Sequence, residues 1–370
     1  MFETRVSLRH EMFSRQEEVL LEAGEFSAGT FRYSTGVEAL RIRNGRGEIV
    51  LLPFQGQQVW RAGFLGRELT MHTTFPEPIP TRDYLGTYGG FLIHCGAIAM
   101  GVPSAEDSHP LHGELPNIPY GEAYLRTGSD EKGDYIAAGG MTEVRIGFEL
   151  YYRFRPEIRL YAGATVLEVS STLENMRSTP MDYMYMCHIN FLPLEGGELV
   201  YSAPSDREHV SVFVDVPDNL SEGHRKKLQQ YMDAVEKNPK LHDKIGGTDQ
   251  IYDPEMVLSV KYRADGEGYG HCMQRRGELA DYVGFRVAEL PCGIRWISRT
   301  GDEDAIGFLL PATADHKGRT AAERRGLLRS LSGGESVTFS LRAGCLDEAA
   351  ADAMAKRIAG VLDKPAIPAR

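Results

Sequence analysis

The chain has 370 residues and a formal net charge of −11, room for two average domains or one large β domain. A hydrophobic fraction of 42%, with 40 glycines and 19 prolines, is that of a folded globular protein and excludes a disordered or collagen-like chain. The acidic balance argues against nucleic acid and anionic membranes as partners, and no apolar run reaches the length of a membrane span.

The opening Met-Phe-Glu-Thr-Arg-Val has no basic and then apolar segment of the secretory kind. The five cysteines, Cys95, Cys187, Cys272, Cys292 and Cys345, are scattered without C-x-x-C spacing. They are expected to be reduced, mostly buried thiols in a cytoplasmic protein. No sequence feature specifies an oligomeric state.

Taken in chain order, period-2 alternation predicts strands over residues 37–43 and 48–53. A glycine-rich stretch follows, Pro80 to Gly96, holding Arg82, Tyr84, the pair Gly89-Gly90 and His94. It contains no G-x-G-x-x-G or Walker pattern, so a nucleotide site is rejected. His94 sits among apolar neighbours and reads as a core residue. Trp60 and Tyr84 are either packed or available to stack on a ligand ring.

Next comes Pro110-Leu111-His112-Gly113-Glu114-Leu115-Pro116-Asn117, which gathers a histidine, a carboxylate and an amide within six positions. Residues 143–155 then alternate as one half-buried strand, with Val144, Ile146, Phe148, Leu150 and Tyr152 on one face. Pro156-Glu157 is expected to turn the chain into one or two antiparallel partners over 158–174. His188 appears inside Met184-Tyr185-Met186-Cys187-His188-Ile189-Asn190-Phe191, an otherwise apolar buried strand.

A helix is predicted from residue 219 to about 238. Ser221 would cap it, Leu228, Tyr231, Met232 and Val235 have helical spacing, and Pro239 stops it. Further strands are predicted over 256–262, 284–289, 293–299, 305–310 and 336–342. A second, alanine-rich helix is expected over 346–362, with Asp347 as cap. With no linker or repeat, the pattern is that of one large antiparallel β-sandwich spanning residues 1–345, with a helical insertion at about 219–239. A C-terminal helix and tail, 346–370, would cover an edge or open end.

His112-Gly113 followed some seventy residues later by a strand-borne His188 resembles the aldose 1-epimerase (galactose mutarotase-like) superfamily, most closely its bacterial members. The resemblance extends over about residues 15–345. It implies the large all-β supersandwich of that superfamily, with the site in a cleft of one sheet, and an acid–base ring opening and closing of a sugar. It implies that His188 is the proton donor and that His112 binds sugar hydroxyls. A histidine suits the first role because its ordinary pKa lies near neutrality, and no metal or cofactor is needed. Without the resemblance, His188 reads first as a core histidine, because Met186, Cys187, Ile189 and Phe191 around it are apolar, and His112 as a turn residue. Arg82 aligns with a substrate-contacting arginine. Glu114 and Asn117 would supply partners for sugar hydroxyls, or else be a solvated carboxylate and a turn-shaping amide.

At one place the chain departs from that pattern. Before Pro311, where the superfamily carries its glutamate base, stands Leu310. An apolar side chain cannot accept a proton, so another group would have to act, and His316 is near in sequence. The expectation is a carbohydrate isomerase or epimerase using His188, His112 and His316, with Arg82, Glu114 and Asn117 binding a small carbohydrate. Two alternatives stand beside it. One is a metal-dependent isomerase or lyase on a keto- or acid sugar, its ion held by His109, His112, Glu114 and His188, although that spacing matches no standard zinc signature. The other is a carbohydrate-binding protein without catalysis.

Overall fold

A computed structural model describes residues 3–213, 222–247 and 252–363. Two antiparallel sheets dominate it, of nine and thirteen strands. The nine-stranded sheet begins with Glu3–Ser7 on Glu122–Asp130. It continues through Gly133–Ile146, Leu150–Tyr161, Val166–Asn175, Ser336–Leu346, Leu279–Arg286 and Tyr269–Arg276 to Glu198–Tyr201. Strands from both ends of the chain therefore share one sheet. The centre of the other sheet is Met181–Ile189, which pairs with Leu92–Ala97 on one side and Asp304–Ala312 on the other. Cys292–Arg299 and Tyr252–Val260 follow beyond Asp304–Ala312.

Strand alternation decides what each face of this sheet meets. On Met181–Ile189, Tyr185 points inward and stacks on Phe339 of the nine-stranded sheet, with ring centroids 4.3 Å apart. Met186 and His188 have the opposite parity and line a cavity on the far face. On Cys292–Arg299 the buried Arg295 points inward, its Nη1 2.5 Å from His242 Nδ1, while Ile294, Trp296 and Ser298 line the cavity. The core lies between the sheets, and the cavity lies on the outer face of the larger one.

Several expectations change in detail. Residues 143–155 are not one strand: the chain turns at Gly147-Phe148-Glu149, and Gly133–Ile146 and Leu150–Tyr161 form a hairpin. Phe148 is fully exposed at its tip, with φ +67°. Pro156-Glu157 is not a turn either. Pro156 lies inside Leu150–Tyr161, where pairing with Gly133–Ile146 lapses around it, so its missing N–H disrupts no bond.

The inserted helix is described over Glu222–Lys237, with Leu228, Met232 and Val235 buried; the expected cap Ser221 lies outside the described residues. The C-terminal helix Glu348–Leu362 starts where expected. Asp347 caps it, its carboxylate accepting from Ala350 N at 3.0 Å. It packs Ala351 and Ile358 on Met273, Ala280 and Tyr282, so it covers part of the outer face of the nine-stranded sheet. A short third helix, Arg319–Arg324, follows the cavity residue His316. All five cysteines are free thiols, four of them buried. Among the described residues no helix is long and apolar enough to cross a membrane.

Candidate functional site

The turn at residues 110–113 is built around backbone strain. Gly113 N donates to Pro110 O at 2.9 Å, and His112, third in the turn, has φ +60°. That left-handed position ordinarily favours glycine or asparagine. Backbone bonds on both sides hold it: His112 N donates to Gly101 O at 3.0 Å and Gly96 N donates to His112 O at 3.0 Å. Gly113 follows at φ +82°, and a Cβ there would lie 2.2 Å from Ala99 O. The effect is to press the turn against the edge of Leu92–Ala97 and direct the His112 ring into the cavity.

There the ring meets His188, with centroids 5.4 Å apart and planes at 77°. Tyr84 packs on His112 at 4.7 Å, and Trp296 on His188 at 5.1 Å. His188 is 3% exposed. Its Nδ1 lies 2.7 Å from Asn190 Oδ1, while Asn190 Nδ2 donates to Gly90 O at 2.9 Å. That second bond fixes the amide, so Oδ1 is an acceptor and His188 Nδ1 carries the proton. In the neutral ring, Nε2 then keeps its lone pair. Burial pulls the His188 pKa down to about 4, against a smaller opposing effect of Asn190, so the ring is neutral near pH 7. Burial also holds His112 well below the usual histidine value, with His188, His316 and His109 adding to the effect.

The cavity has a volume of about 490 Å³, within the range of small-molecule sites. His112, His188 and His316 all line it, as does Leu310. The other three expected binding groups are used elsewhere. Glu114 turns away: its Oε1 accepts from Ala97 N at 3.1 Å, Ile98 N at 3.2 Å and Tyr152 OH at 2.6 Å. It ties the turn to the sheets, and burial raises its pKa against those bonds. Asn117 is buried, its Oδ1 2.8 Å from Gln58 Nε2 and its Nδ2 donating to Asp83 O at 3.0 Å. Arg82 is exposed and donates to Glu114 O at 3.3 Å. None of the three is among the cavity-lining residues.

The imagined ligand set of His109, His112, Glu114 and His188 does not assemble. His109 Nδ1 donates to Pro110 O at 2.8 Å, and its Nε2 accepts from Arg319 N at 3.4 Å. Among the described residues no three His, Cys, Asp or Glu side chains converge as metal ligands. Of the residues read as core or stacking, His94 is fully buried and hydrogen-bonded to Tyr185 OH at 2.7 Å. Trp60 is packed in a small cluster with Val37 and Leu52, and Tyr84 lines the cavity.

Residues 34–344 match a protein family described as a domain of unknown function, DUF4432. The chain belongs to this family. No curated protein matches it. Among solved structures, this DUF4432 protein is similar to a "putative aldose 1-epimerase" from Klebsiella pneumoniae, with a TM-score of 0.80, 18% identity, and 98% and 97% of the two chains covered. It is also similar to a galactose mutarotase-like protein from Clostridium acetobutylicum, with a TM-score of 0.57, 12% identity and coverage of 86% and 98%. A third is an aldose epimerase homologue from C. elegans, at 0.51, 12% identity and coverage of 82% and 96%. At these identities the likeness establishes the galactose mutarotase-like sandwich fold.

Sequence reading takes Glu303, near Leu310 in sequence, as part of a turn between two strands, and it missed Glu255 of the DUF4432 cavity. Glu255 lines it on the strand Tyr252–Val260, two residues before Val257 on the same face. Its Oε2 accepts from Trp296 Nε1 at 2.5 Å, and burial raises its pKa against that bond. Glu303 also lines the cavity, accepting from Thr300 Oγ1 at 2.9 Å and Thr74 Oγ1 at 3.1 Å. The available signal was parity: Glu255 and Val257 alternate like a cavity-facing pair, but nothing in the sequence names Trp296, 41 residues on, as the partner.

Proposed function

We propose that this DUF4432 protein is a carbohydrate isomerase of the aldose 1-epimerase type, acting by proton transfer on a small sugar in the cavity beside His112 and His188. The observation that carries the reading is the fixed His188 tautomer. Asn190 holds Nδ1–H, which leaves a lone pair on Nε2, on a residue that lines the cavity.

A neutral imidazole so held is a proton acceptor, and a buried carboxyl with a raised pKa is a proton donor. The usual assignment of acid to histidine and base to glutamate is thereby exchanged. His188 Nε2 takes the proton of the C1 hydroxyl as the bond from C1 to the ring oxygen breaks. Glu255 gives its proton to that oxygen. The C1–C2 bond rotates, and closure on the other face returns both protons to their starting groups. His112 and His316 bind hydroxyls, and Tyr84 and Trp296 flank the ring. Leu310 in the cavity supports a second reading, a binding protein that performs no ring opening.

Anomer-resolved NMR of sugar equilibration decides between them. The purified protein should accelerate interconversion of an aldose that it binds. His188→Asn and Glu255→Gln should each lower that rate by roughly 10²-fold or more, with little change in affinity. Saturable sugar binding with no acceleration would replace the isomerase by the binding protein.

A further inference from the structure

The cavity is unusual for a sugar site in what surrounds its histidines. Phe75, Leu85, Leu111, Val257, Ile294 and Leu310 all line it, and so do the aromatic rings of Tyr84, Tyr88 and Trp296. Two apolar side chains remain open to water: Leu85 is 59% exposed and Val102, also on the lining, 44%. Among the described residues no lysine or arginine lines it, and its two acidic side chains are Glu255, the proton donor of the proposed reaction, and Glu303. Glu303 already accepts from two threonine hydroxyls.

These facts constrain the ligand in two ways. A phosphate or carboxylate would find no cation and would meet two acids, so an anionic sugar is disfavoured. A fully hydroxylated hexose would leave hydroxyls against aliphatic walls, and each buried hydroxyl without a partner weakens binding severalfold or more. An apolar group in the same place would be bound by burial. That group cannot sit on the anomeric oxygen, because ring opening needs a free C1 hydroxyl. In a pyranose, C6 is the exocyclic carbon, where loss of the hydroxyl leaves a methyl and where a larger apolar group can be attached.

Resting on the reading of this cavity as a sugar-isomerising site, we infer that its substrate is a neutral aldose bearing an apolar substituent at C6, a 6-deoxy sugar being the smallest such molecule. The apolar wall receives the C6 group, and the histidines receive the anomeric end.

The test is a matched series from one hexose: the parent sugar, its 6-deoxy form, a 6-O-butyl form and its 6-phosphate. Each is titrated by calorimetry into the full-length protein and followed by anomer-resolved NMR. The 6-deoxy or 6-O-butyl form should bind at least about tenfold more tightly than the parent, with the phosphate weakest. Val102→Ser at the exposed part of the lining should reduce the ratio between the substituted and parent sugars. A parent hexose that binds as well as or better than both substituted forms overturns the inference and leaves the sugar site standing. If no member of the series binds while a neutral aromatic dye such as 1-naphthol does, both the inference and the sugar reading fall.

Discussion

Asn190 Oδ1 lies 2.7 Å from His188 Nδ1, and the same amide donates to Gly90 O. One side chain therefore decides which nitrogen of His188 holds a proton. Asn190→Asp puts a carboxylate at that position, and a nearby negative charge raises a histidine pKa. If the neutral ring is the working form, the acid limb of the rate profile should move up by about one pH unit. Measured isomerisation rates from pH 4 to 8 check this. An acid limb that stays in place would mean that His188 does not carry the titrating proton.

Leu310 is 1% exposed and lines the cavity. Leu310→Glu places a carboxylate where the resemblance to aldose 1-epimerases leads one to expect it, yet it should not raise the isomerisation rate. The new group would sit among apolar neighbours, where desolvation keeps a carboxyl protonated. A loss of stability of about 1–3 kcal/mol is expected from burying it. Thermal unfolding and sugar NMR on the variant give both readouts. A large gain in rate would mean that the cavity is an intact epimerase lacking only that base.

The strained turn gives a third expectation. In Gly113→Ala the new Cβ would meet Ala99 O at 2.2 Å and Gly96 O at 2.5 Å, on a residue with φ +82°. Both backbone strain and overlap oppose it, so a loss above about 2 kcal/mol is expected, together with weaker ligand binding as His112 shifts. Gly24→Ala is the control, with φ +61° and nothing within 4 Å. It carries the strain alone and should cost about 1 kcal/mol. Equal melting temperatures for the two variants would contradict the packing argument.

How much of this could be read from the chain depends on the range of the interaction. Alternation and capping are local, so most of the strands named from them and the Asp347 cap were legible, whereas the buried run 184–191 gave no sign of which face His188 takes. The hairpin at Gly147-Phe148-Glu149 was hidden because the alternation runs straight through it, with Phe148 in an apolar phase although its side chain is fully exposed. Pro156 misled for the opposite reason, since a lapse in pairing lets a strand accept it. In the site, His112 and His188 were legible as a turn and a strand signal. Glu114 was not, because only the fold brings Ala97 N, Ile98 N and Tyr152 OH around its carboxylate. Glu255 went unseen because its partner Trp296 lies across a strand pairing.

The final expectation concerns pH and stability. His94 is buried in the core beside Tyr185, and burial lowers its pKa from an ordinary 6.5 to about 3. The unfolded chain therefore takes up a proton below about pH 6.5 that the folded chain refuses until about pH 3. For such a group, stability is fully present above the unfolded value and is lost as pH falls toward the folded one, at up to about 1.4 kcal/mol per pH unit. Buried carboxyls work in the opposite sense. Asp281, pushed up to about 6 by burial against the pull of Arg67, favours the folded state increasingly as pH falls through about 6 toward 4. The whole-protein curve mixes these effects, so the useful observable is a difference. His94→Gln keeps a hydrogen-bonding side chain and cannot titrate. In urea unfolding at pH 7.5 and at pH 4.5, the advantage of the natural protein over this variant should shrink by about 2–3 kcal/mol at the lower pH. An advantage that is the same at both values would mean that His94 is already solvated enough to titrate in the folded state, and that the core around Tyr185 is more open than its packing implies.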